Sequence, residues 1–270
     1  MGENGTRWAP TNCLLGIALS AAVVVGSAVA RDAVAPPTLA IVGFGVLAVA
    51  GAVSPSKLIV GMMLAAPGAG LVALSGRFDH PWWLGATAAA AIVVAAPLVA
   101  DADRRWGRWG SEKGGTPVAF AIASVGVFAC VPDTEEAWVL LAVAVVAAVI
   151  SVLTPWRTLG ASGSFACTGV LVWVAAFDAR GRPAAVIGAV AALGLLVWEP
   201  IGARLRGARL GEHRVHSRVA LVLAQAALAA YASRVVGLER SVWSAVALAV
   251  PAVVVGIAVG ALVSARAAPS

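Results

Sequence analysis

Charge is the scarcest property of this chain. Only 12% of its 270 residues are Asp, Glu, Lys or Arg, and 61% are hydrophobic, where a soluble domain has about 25% charged residues. So few ions cannot cover a water-exposed surface. Lysine is nearly missing, with only Lys57 and Lys113 among nineteen basic residues. That shortage, with the abundance of Ala, Gly, Val and Arg, points to GC-rich coding and a bacterial source. The three cysteines, Cys13, Cys130 and Cys167, lie in or beside apolar runs and show no disulfide or zinc spacing, so they read as small hydrophobes. No nucleophile elbow, P-loop or dinucleotide fingerprint occurs. No cofactor and no metal centre are expected.

What the chain does have is apolar runs of helical length, made of Ala, Val, Leu, Ile and Gly without the alternation of a barrel strand. A span of about 30 Å at roughly 1.5 Å per residue needs about 20 residues, or about 17 at the short end. Ten runs approach that measure: Leu14–Ala30, Thr38–Val53, Leu58–Leu74, Leu84–Ala100, Pro117–Val131, Ala137–Leu153, Ser162–Phe177, Ala184–Trp198, Val219–Val236 and Val242–Val263. Every break between them carries charges or turn formers. The expected fold is therefore an all-α integral membrane protein, a polytopic bundle of about ten transmembrane helices in one domain over residues 1–270, with no extramembrane domain. The first run resembles a signal peptide ending in Ala28-Val29-Ala30, but it exceeds the usual h-region of about 7–15 residues and is read as a retained helix.

Basic residues favour cytoplasmic loops. With the N-terminus inside, thirteen of the nineteen fall on the cytoplasmic side, among them Lys57, Arg104, Arg157 and Arg204. The expected placement is a multi-pass protein of the bacterial inner membrane with both termini cytoplasmic. Membrane lipids are the expected partners, with anionic lipid at the basic inner face. The net charge of +6 has its explanation there, and no nucleic-acid partner is expected.

Two halves, 1–131 and 137–270, would each hold an odd number of spans and so be inverted, the plan of many transporters. Sites in such folds lie at interrupted helices. Pro67-Gly68-Ala69-Gly70 stands mid-way along the third run, and Trp198-Glu199-Pro200 ends the eighth. Proline removes a backbone donor and frees carbonyls to line a cavity. The reading that follows is a permease-like transport component, with Pro67, Gly68, Gly70, Glu199, Pro200 and Gln225 as substrate-binding candidates. In size, span number and termini this outline resembles the drug/metabolite transporter superfamily, without any motif of that family.

Two alternatives use other residues. One is a non-transporting scaffold or accessory subunit of an envelope complex. The other is a membrane enzyme acting on a lipid or polyprenyl phosphate, in which Asp101 and Asp103 hold a divalent metal against a phosphate and His213 and His216, three apart, share a helix face.

Overall fold

A computed structural model of the chain describes residues 38–54, 57–75, 82–107, 119–124, 126, 159–178 and 196–205, with short helical fragments between 246 and 258. Four helices make its framework. They are α1 (Thr38–Val53), α2 (Leu58–Ser75), α3 (Trp82–Gly107) and α4 (Gly160–Trp173), the last running into a π-helical turn over Val174–Asp178. Residues 119–124 and 196–205 are also helical.

The helices form a ring in which α1 packs on α2, α2 on α3, α3 on α4 and α4 back on α1. Direction alternates round the ring. The start of α4 meets the end of α1, where Ser162 Oγ donates to the Ala48 carbonyl at 2.8 Å. At the other pole Trp173 Nε1 donates to Ser75 Oγ at 3.2 Å, and the Trp173 ring stands edge-on to Phe44 with centroids 6.3 Å apart. Between the poles lies an apolar core that includes Leu47, Val72, Ile92 and Phe165, all fully buried.

Polarity does not distinguish the inner face of these helices from the outer one. Side-chain size does. On α2 the buried residues are Gly61, Ala65, Gly68, Ala69, Val72 and Ser75, while Ile59, Met63 and Leu74 face outward. Small residues let backbones approach, which is how helices pack when both faces are apolar. A side chain on Gly68 would start 2.7 Å from Leu47 Cγ and 3.0 Å from the Gly43 carbonyl oxygen, so α1 and α2 cross nearly backbone to backbone there.

The ten-span expectation is corrected. Among the described residues two helical stretches, Leu58–Ser75 and Trp82–Arg104, have the length and apolarity of a membrane span. The physical reason is length and enclosure. With 16 and 14 residues, α1 and α4 rise only about 24 and 21 Å at roughly 1.5 Å per residue. In addition, α4 is buried from Ser162 to Trp173, as the core helix of a packed bundle is. Apolarity all round a helix marks burial against protein as well as against lipid, so counting apolar runs overstated the spans. The expected multi-pass inner-membrane placement is corrected with it. Both termini, expected in the cytoplasm, lie outside the described residues, as do the runs Leu14–Ala30, Ala137–Leu153 and Val219–Val236.

Candidate functional site

The polar groups of the bundle gather at the pole where α1 and α3 end and α2 and α4 begin. Helix α3 carries them there by continuing beyond Ala100 to Gly107, so that Asp101, Asp103 and Arg104 are helical rather than part of a loop. Asp101 and Arg104, three apart, share one face. Asp103 points elsewhere.

Each aspartate has a structural partner. Asp103 accepts from the Leu159 and Gly160 backbone N–H groups at 3.1 and 2.8 Å, one on each carboxylate oxygen. Those two N–H groups converge because Leu159 is right-handed helical (φ −67°, ψ −27°) and Gly160 has φ 69°. A right-handed residue followed by a left-handed one turns successive N–H groups into a concave anion nest. The nest stands at the start of α4, where the helix dipole also favours a negative charge. Leu159 has no side chain able to cap the helix, and Asp103 of α3 does so from across the ring.

Asp101 is 2% exposed, and its Oδ2 pairs with Arg204 Nη2 at 3.1 Å. Helix 196–205 supplies that arginine, together with Glu199, which is fully buried. The pair joins two segments about a hundred residues apart in sequence. Lys57, at the mouth of α2, completes the cluster. A shallow depression with room for about one water lies among Ser54, Lys57, Leu58, Gly61, Pro97, Arg104 and Arg204.

The expected substrate-binding residues are scattered. Helix α2 runs unbroken through Pro67, which faces outward, while Gly68 is buried and Gly70 is half-buried. Glu199 and Pro200 are buried in helix 196–205. Gln225, His213 and His216 lie outside the described residues. The permease-like reading is corrected here, because it rested on a multi-pass bundle with an interrupted third run. That run is a continuous helix with Pro67 on its outward face.

Of the residues named for the lipid-phosphate alternative, Asp101 holds an arginine and Asp103 a helix start, while His213 and His216 lie outside the described residues. Among the described residues no three His, Cys, Asp or Glu side chains converge as metal ligands would.

The sequence reading missed the cluster of Lys57, Arg104 and Arg204, and it missed Gly160. The signal for the first was present, because the charge count had already put all three on one side. The signal for the second was Leu159-Gly160 at the head of an apolar run. No family model, curated protein or solved structure matches the chain.

Proposed function

We propose that the protein is a non-transporting helical scaffold whose working surface is its apolar outer face, seated in lipid hydrocarbon. The observation that carries this reading is the outward face of α2, where Ile59 and Met63 are 72% and 70% exposed and Leu74 is 45% exposed. Ala66 and Pro67 continue that face without a polar side chain. Water would oppose so large an apolar stripe, and contiguous exposed patches of this kind mark surfaces meant to be covered. Helix α3 supports the same reading with exposed Trp82, Trp83 and Val94. The outward Thr87 turns its hydroxyl back onto the Leu84 carbonyl at 2.9 Å, an internal bond suited to surroundings that offer none.

The test is co-flotation of purified protein with neutral phosphatidylcholine vesicles after an alkaline wash. Burying each of Ile59, Met63 and Leu74 contributes roughly 1.5–3 kcal/mol. Changing all three to Ser should therefore release most of the protein from vesicles while leaving its helical circular dichroism intact. Wild-type protein that stays monodisperse in water and ignores vesicles would end the proposal.

A further inference from the structure

We propose that Trp82 and Trp83, side by side in the first turn of α3, form a membrane-interface site that seats in a zwitterionic headgroup layer and sets the depth at which the bundle lies. The inference rests on the scaffold reading and deepens it, from an outer face in hydrocarbon to the level where that hydrocarbon ends.

Both rings are exposed, Trp82 at 79% and Trp83 at 50%. Successive residues of a helix stand about 100° apart, so the two rings spread over a wide arc and do not share one contact face. A protein partner docks on one face. A headgroup layer surrounds the helix and meets both rings at once. Indole suits that layer, because its ring is apolar while its N–H needs an acceptor. A third tryptophan at this pole shows the contrast. Trp173 is buried and donates to Ser75 Oγ at 3.2 Å, so its polar atom is satisfied inside the bundle, whereas no described residue accepts from the indoles of Trp82 and Trp83.

The surroundings put a polar boundary at the same level. Exposure on α3 belongs to its first half, at Trp82, Trp83, Ala86, Thr87, Ala90 and Val94, and every residue from Ala95 to Asp103 is buried. On α2 the outward stripe ends with Leu74, beside the last helical residue Ser75. Between Ser75 and Trp82 the sequence reads Gly76-Arg77-Phe78-Asp79-His80-Pro81, with one cation and one carboxylate just ahead of the pair. Charges of both signs side by side complement a headgroup that itself carries phosphate and ammonium. Neither sign is in excess there, so a zwitterionic layer fits better than an anionic one. An apolar stripe that stops where charge begins, with two amphipathic rings on the line between them, is the pattern of a segment held at the hydrocarbon boundary.

The test uses full-length protein bound to neutral phosphatidylcholine vesicles whose acyl chains are brominated either near the glycerol end or near the methyl end, since bromine quenches indole only at close range. The fluorescence of the pair is the difference between bound wild type and bound Trp82→Phe/Trp83→Phe. Shallow bromine should quench that difference several-fold more than deep bromine. Trp82→Leu/Trp83→Leu keeps apolar side chains but removes both indole N–H groups, and it should weaken partitioning in flotation about tenfold with unchanged helical circular dichroism.

Deep bromine quenching the pair as strongly as shallow bromine, or a Leu variant that floats as well as wild type, would overturn the site. A pair quenched by neither lipid on protein that still floats would show the rings covered by a protein partner or lying in water. That result also overturns the site, and it leaves the outer face of α2 as the seat in lipid. Wild-type protein that does not float removes the scaffold reading and the site together.

Discussion

At the residue scale, the groups that matter are those whose polar atoms are fixed at a distance in sequence. Asp103 is one, because both its oxygens are used and its N–H donors cannot be replaced by water in a buried position. Asp103→Asn keeps the shape but removes the charge and one acceptor, and it should cost about 1–3 kcal/mol in thermal or denaturant unfolding. Gly160→Ala should cost about 1–2 kcal/mol for a different reason, the left-handed backbone at φ 69°. If both are neutral, the cap from α3 has no role in stability. Two serines near the start of α4, two residues apart, make a sharper pair. Ser162 Oγ donates to the Ala48 carbonyl, whereas Ser164 is fully buried and its Oγ has no partner. Ser162→Ala should lose about 1 kcal/mol, and Ser164→Ala should be neutral or stabilising, because it removes a buried hydroxyl that makes no bond.

Cys167 belongs to the same scale. Burial pushes its thiol from 9.0 up to about 12. In the folded protein it therefore stays protonated where an unfolded chain would ionise, so stability should fall as pH rises from 9 towards 12. With Cys13 and Cys130 replaced by Ser, maleimide at pH 8 should leave the native protein unlabelled and label it fully on denaturation. Labelling of native protein would show that the thiol is accessible.

At the scale of elements, the four framework helices owe their positions to size rather than polarity. This governs how much could be read in advance. The ends of α1 at Thr38 and Val53 and the start of α2 at Leu58 coincide with the sequence reading, because Pro, Ser and charged residues bound those runs. The facing of each helix was not legible, since a hydropathy count sees Ile59 and Ala65 as alike. The meaning of Pro67-Gly68-Ala69-Gly70 was not legible either. Gly68 in that motif is a crossing point, but a side chain at Gly70 would meet nothing within 4 Å. Gly70→Ala should thus be tolerated or stabilise by up to about 1 kcal/mol through helix propensity. Gly68→Leu should disrupt folding, and Val94→Leu, on an exposed face, should not. Equal tolerance of Gly68→Leu and Val94→Leu would remove the close crossing of α1 and α2.

At the scale of the whole molecule, the sequence made its largest error by treating each apolar run as independent. A bundle shelters some helices with others, and α4 is the sheltered one here. The candidate site was half legible for a related reason. The identities Asp101 and Asp103 could be picked out, but their partners Arg204 and Gly160 come from segments with no local link to α3. The Asp101–Arg204 pair tests that long-range organisation. Removing Arg204 leaves Asp101 buried without it, which for a fully buried pair costs roughly 3–5 kcal/mol. Arg204 is 31% exposed, so Arg204→Met should cost somewhat less, about 2–3 kcal/mol after discounting for screening. Unfolding at unchanged midpoint would show that helix 196–205 is held by apolar packing alone.

The cap that Asp103 places on α4 also fixes an order in time. Helices α1, α2 and α3 follow one another through short connections and can dock as soon as each is made, since local contacts close quickly. Helix α4 has 14 residues, a length at which an isolated helix is marginal, and no cap of its own. Its first turn is completed only by a carboxylate 56 residues upstream. Its first turn therefore becomes rigid only once α3 stands beside it. Under mild denaturant the amide hydrogens of that first turn should exchange before those of the buried middle of α4, so that the helix is locked from its end by a neighbour already in place.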